Sequence, residues 1–82
     1  MNRSRAETRV LELLRRAMKG SARAIPLDES LAGGGLGLDS LAIVEFVVAF
    51  EKECKVDVPE SVWTDLGAIT PGYFVDLLVR AG

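Results

Sequence analysis

Apolar residues recur three and four positions apart in three separate stretches of this 82-residue chain, a period that builds helices and leaves little for a sheet. Val10, Leu14, Ala17 and Met18 form the first set, flanked by Leu11 and Leu13. They predict an amphipathic helix over 5–19, closed by Gly20-Ser21. Ile43, Val47, Phe50 and Cys54 predict a second helix over 40–54, with Asp39 or Ser40 as its N-cap. Phe74, Val75 and Leu78 face inward on a last helix, with Asp76 and Arg80 outward. Thr70 suits its N-cap, and Pro71 its first helical position. Lys55-Val56-Asp57-Val58-Pro59 alternates like a strand but has no partner strand, so it reads as an extended link. Residues 61–66 read as a short helix carrying Val62 and Trp63, interrupted by Gly67. The expected fold class is all-α. It is a four-helix bundle, with three longer helices, one short third helix and a long loop between helices one and two. A single domain over 1–82 is expected.

The loop spans 20–38 and holds Pro26, Gly33, Gly34, Gly35 and Gly37. A connection this long in a small domain is usually functional or mobile. Ile25, Leu27 and Leu31 are expected to pin it to the core. Charge is uneven: residues 1–27 hold seven Lys/Arg against two acids, and residues 28–82 hold ten acids against three Lys/Arg. A basic first helix suits nucleic acid, but no aromatic residues interleave these cations and the whole chain is acidic. Arg9, Arg15, Arg16 and Lys19 therefore read as a solvated helix face, and no nucleic acid is expected. There is no histidine, and Cys54 is the only cysteine. That excludes an internal disulfide and a Cys/His zinc cluster, and removes the usual general base near neutral pH. Cys54 reads as core. The basic start, Met1–Arg9, is followed by no apolar signal core, and no stretch is long enough to span a bilayer. The expectation is a cytoplasmic monomer with no membrane partner and no metal.

The glycines deliver Asp39-Ser40-Leu41 to the head of the second helix. A phosphate-binding loop of the GxxxxGK[ST] type fails here, because no lysine lies between Lys19 and Lys52. The GxGxxG pattern fails at Leu38, and the GxSxG elbow fails because Leu38 and Ala42 stand in for its glycines. Without a histidine, Ser40 has no obvious activating base. By position alone, Asp39-Ser40 does no more than cap a helix. A serine in a helix's first turn also lies beside unpaired N–H groups and the positive end of the dipole. A phosphate attached there is favoured, and the glycines leave an open approach to a modifying enzyme.

Gly37-Leu38-Asp39-Ser40-Leu41 resembles the GxDSL motif of acyl carrier proteins. The likeness continues through Val44-Glu45, Phe50-Glu51, Val56-Asp57-Val58-Pro59, Ile69-Thr70-Pro71-Gly72 and Val75-Asp76-Leu77. Leu31 fits the hydrophobic residue that the family places in its first loop. The resemblance covers nearly the whole chain, most strongly residues 31–78. It implies that a phosphopantetheinyl transferase attaches 4′-phosphopantetheine from coenzyme A to Ser40, with Asp39 and Leu41 beside the attachment point. The arm's thiol then carries an acyl group as a thioester, and the protein is not an enzyme. The implied partners are acyl synthases, transferases or ligases of a fatty-acid or polyketide pathway.

The second helix is apolar on its outer face as well. Leu41, Glu45 and Val48 lie there, and the resemblance gives them, with Glu51 at the edge, the role of docking on partners. Ile43, Val47, Phe50, Trp63, Ile69, Phe74 and Leu78 lie inward, where they either fill a core or line a cavity for the acyl chain. Ala42, Lys52, Lys55 and the basic first helix depart from fatty-acid carriers and point to a discrete carrier in specialised polyketide or lipid biosynthesis. An aminoacyl or peptidyl carrier, or an unmodified helical interaction module, are the alternatives.

Overall fold

The computed structural model describes residues 2–19, 24–33 and 35–81. Three α-helices form: α1 (Arg3–Ala17), α2 (Ser40–Cys54) and α3 (Pro71–Ala81). Two 3-10 turns, Glu60–Thr64 and Leu66–Ala68, join α2 to α3, and no strand occurs among the described residues. The expected all-helical class holds. The expected fourth helix does not form as an α-helix. Its residues divide into the two 3-10 turns at Asp65, whose φ of −149° and ψ of 62° break the helical path. So short a segment has too few internal hydrogen bonds to offset the cost of α-helix nucleation.

Local caps set most of the boundaries. The Asn2 side chain accepts the Arg5 N–H at 2.9 Å, so α1 starts two residues before its expected first residue. It ends at Ala17, where the Met18 N–H reaches the Leu14 carbonyl at 2.9 Å and Lys19 turns left-handed. The expected Gly20-Ser21 stop lies outside the described residues. α2 keeps its expected bounds: Asp39 caps its start, and Lys55 ends it at φ 56°. At α3 the Thr70 hydroxyl accepts the Tyr73 N–H at 3.2 Å, and Pro71 is the first helical residue.

α1 packs against both α2 and α3. Ala6, Val10, Leu13, Leu14 and Ala17 supply its buried stripe. α2 contributes Ile43, Phe46, Val47 and Phe50; α3 contributes Pro71, Phe74, Val75 and Leu78. Phe46 belongs to this face although its spacing had not marked it. The rings meet edge to face, Phe46–Phe74 at 4.8 Å and Phe50–Phe74 at 5.2 Å between centroids. Each buried phenylalanine contributes about 1.5–3 kcal/mol relative to an exposed one.

The basic side of α1 is tied in more closely than a solvated face. Glu53 accepts Arg9 at 2.9 Å through one oxygen and Arg16 at 2.6 Å through the other. Arg3 reaches Asp76 on α3 at 2.8 Å. These partly exposed pairs are each worth only about 0–1 kcal/mol, so the apolar stripe holds α1 and the charges orient it.

The described part of the loop before α2 is held by backbone hydrogen bonds, within itself and to the segment before α3. The Leu31 N–H donates to Ile69 at 2.9 Å, Leu38 donates back to Leu31 at 2.8 Å, and the Gly72 N–H donates to Leu27 at 2.8 Å. Leu31 and Leu36 are buried, and Ile25 and Leu27 pack on the core half-buried. The radius of gyration is 11.5 Å, close to the roughly 12 Å of a folded chain this long. Gly37 takes φ 76°, the left-handed region. A Cβ at Gly35 would run into the Ser30 carbonyl oxygen and its neighbouring backbone atoms. Gly35→Ala is therefore expected to lower stability by about 1–3 kcal/mol, read as a reduced urea midpoint.

Candidate functional site: the head and outer face of α2

Asp39 holds the entrance to α2. Its backbone is extended, and its carboxylate accepts the Ala42 N–H at 2.8 Å while its carbonyl accepts the Ile43 N–H at 3.0 Å. Of the two candidate caps, Asp39 is the one that caps. Asp39→Ala is expected to cost about 1 kcal/mol in a denaturant melt, and Asp39→Asn much less, because the amide oxygen can still accept.

With the cap supplied by its neighbour, the Ser40 side chain is left over. It is the exposed first residue of α2, and its hydroxyl has no hydrogen-bond partner among the described residues. The Ser40 and Leu41 N–H groups have no backbone partner there either, as is usual for a first helical turn. An anion on Ser40 Oγ would sit at the positive end of a 15-residue helix. The Asp39 carboxylate acts against such an anion, but it is aimed back along the helix at Ala42. Leu36 is buried behind the loop, while Gly37 and Asp39 are exposed, so the approach is open. A phosphate diester on Ser40 therefore fits the residues present.

Beyond Ser40 runs an exposed apolar strip. Leu41 is 66 % exposed and Val48 53 %, with Glu45 exposed between them. Val44, at 41 %, belongs to the strip too and was missed; its position three residues after Leu41 was the available signal. Glu51, expected at the edge of this face, is half-buried, and its Oε2 accepts the Val58 N–H at 3.0 Å. It fastens the link after α2 to the helix.

Ile43, Val47, Phe50, Phe74, Leu78 and Ile69 are buried together in one core cluster. Trp63 is not with them. In a 3-10 turn one residue in three faces inward, and that residue is Val62, which leaves Trp63 42 % exposed. Cys54, expected in the core, is half-buried against it, and burial pushes its thiol up from its usual pKa against the opposing pull of Arg9. No cluster of three potential metal ligands occurs among the described residues. No described helix is long and apolar enough to cross a membrane.

The loop thus ends on a capped helix whose first residue, Ser40, is exposed and has no hydrogen-bond partner among the described residues. The family model for a phosphopantetheine attachment site matches residues 8–68, from α1 through the 3-10 turns. The chain belongs to that family of phosphopantetheine-binding carrier domains, and it is a carrier that bears 4′-phosphopantetheine covalently. No curated protein and no solved structure matches the chain. Carrier domains of this family work with a phosphopantetheinyl transferase and with the enzymes of their pathway.

Proposed function

We propose that Ser40 is the attachment point, and that the protein is a non-catalytic acyl carrier serving a specialised polyketide or lipid pathway. The observation that carries this reading is the free hydroxyl of Ser40 at the head of α2, left without a structural task because Asp39 provides the cap. When bound, the group supplies a flexible arm ending in a thiol, on which acyl chains are held as thioesters. The chain's own residues anchor and present it. Ser40 Oγ becomes the diester oxygen, the first-turn N–H groups face the phosphate, and Leu41 stands beside it as an exposed contact for partners. Glu45 and Val48 extend that contact along α2. Glu51 has no part in docking on this reading, since its carboxylate holds the Val58 N–H.

The inner face supports a filled core rather than a ready-made acyl cavity, because Phe46, Phe50 and Phe74 touch ring to ring. Cargo then stays largely outside the bundle, which suits short or polar acyl intermediates better than long saturated chains. The absence of histidine from the chain supports a carrier without chemistry of its own.

The test is the intact mass of the folded protein before and after incubation with coenzyme A and a broad-specificity phosphopantetheinyl transferase. One phosphopantetheinyl increment is expected. Offering the product to acyl and to aminoacyl ligases then separates an acyl carrier from an aminoacyl carrier.

A further inference from the structure

Residues 30–32 form a cradle for the chain that leads into Ser40. Four consecutive N–H groups donate to their carbonyls: Gly35 and Gly37 to Ala32 at 3.1 and 3.0 Å, Leu36 to Ser30 at 2.8 Å, and Leu38 to Leu31 at 2.8 Å. The cradle is itself anchored, since the Leu31 N–H donates to the carbonyl of the buried Ile69 at 2.9 Å. A side chain closes its bend: the half-buried Ser30 hydroxyl accepts the Ala32 N–H, two residues on, at 3.1 Å. Gly35 lies so near the same residue that a Cβ there would run into the Ser30 oxygen, nitrogen and carbon of the backbone.

Helix ends fray, and the first N–H groups of a helix have no partner within it. Where Ser40 Oγ comes to rest therefore depends on the chain ahead of it as well as on the Asp39 cap. We propose that Ser30 is a positioning residue for the attachment of phosphopantetheine. By shaping the three carbonyls that hold residues 35–38, it sets the place of Ser40 Oγ just beyond them. The proposal rests on the reading of Ser40 as the attachment point. In the transfer, Ser40 Oγ forms a bond to the phosphorus that bears the pantetheine arm. The anhydride bond of coenzyme A breaks, adenosine 3′,5′-bisphosphate leaves, and the serine proton passes to a base of the transferase. Such a step is steep in geometry, because the attacking oxygen must lie in line with the departing one. Ser30 takes no part in that chemistry and belongs to the loop, not to α2. Its effect falls on the rate of the step rather than on binding of the transferase.

The reaction is followed by intact mass under single-turnover conditions, with the transferase raised to saturation. The wild type, Ser30→Ala, Ser30→Thr, Gly35→Ala and Gly33→Ala are compared, each below its own unfolding transition. Ser30→Ala is expected to lower the maximal rate about tenfold, with the transferase concentration at half that rate unchanged. Ser30→Thr keeps an accepting hydroxyl and restores the rate. Gly35→Ala presses on Ser30 from the other side and slows the step as well. Gly33→Ala is the control, because a Cβ there meets nothing within 4 Å, and its rate matches the wild type. A Ser30→Ala protein that melts earlier but reacts at the wild-type rate makes Ser30 structural only and overturns the proposal. A slowing that Ser30→Thr does not restore overturns it too, as does a change in the half-saturating concentration alone. If several transferases leave the folded wild type unmodified, or Ser40→Ala still gains the increment, the attachment reading fails and this proposal falls with it. A modified wild type beside an equally fast Ser30→Ala overturns this proposal and leaves that reading standing.

Discussion

Ser40→Ala is expected to abolish attachment of phosphopantetheine while leaving the protein folded. The unmodified wild type should gain one increment of mass, and the variant none. The effect is all-or-none because the Ser40 oxygen is the atom that forms the bond. Among the other serines, the Ser30 hydroxyl accepts the Ala32 N–H, Ser61 lies in a 3-10 turn, and Ser4, though in the first turn of α1, lies outside residues 8–68 that the family model matches. Stability should stay within about 0.5 kcal/mol of the wild type, since the removed hydroxyl bonds nothing described and alanine is a good helix former. This contrasts with Asp39→Ala, where a real cap is lost. Together the two variants separate modification from capping. A mass gain that persists in Ser40→Ala places the attachment elsewhere in the chain. A Ser40→Ala protein that also melts early makes the serine structural after all.

Phe74→Ala should cost about 3–5 kcal/mol, the largest loss of stability expected from a single change. Phe74 is fully buried and touches Phe46, Phe50 and Tyr73, at 4.8, 5.2 and 5.4 Å between centroids. Its removal takes the shared partner from three ring contacts and leaves a void in the middle of the core, between α2 and α3. Domains of this size have about 5–15 kcal/mol in total and tend to the lower end, so the variant is expected to be partly unfolded at body temperature. A urea melt followed by circular dichroism measures it. A loss below about 1 kcal/mol would show that the rings move apart easily, and would favour an inner space that opens for cargo over an exposed acyl chain.

Features built from neighbouring residues were legible in the chain itself. The bounds of α2 follow from Asp39 before an apolar run, and the start of α3 from Thr70-Pro71; both caps form within three residues of the groups they bind. The serine at the head of α2 was legible for the same reason, as were the loop anchors Leu31 and Leu27. Phe46 was missed because the buried arc of a packed helix is wider than one line of three- and four-residue steps. Trp63 lies inward on an α-helical period but turns outward here, because its segment winds as a 3-10 turn.

By itself, then, the sequence determined an all-helical chain and a serine presented at a helix start, because periodicity, capping and glycine placement act over a few residues. The tertiary structure alone decided what each acid on α2 is for. Glu53 is committed to Arg9 and Arg16, 44 and 37 residues away, and the turn after α2 brings the Val58 N–H back to Glu51. Whether a charge faces a partner or its own chain depends on which helix packs beside it, and that is set by the burial of the three apolar stripes against one another.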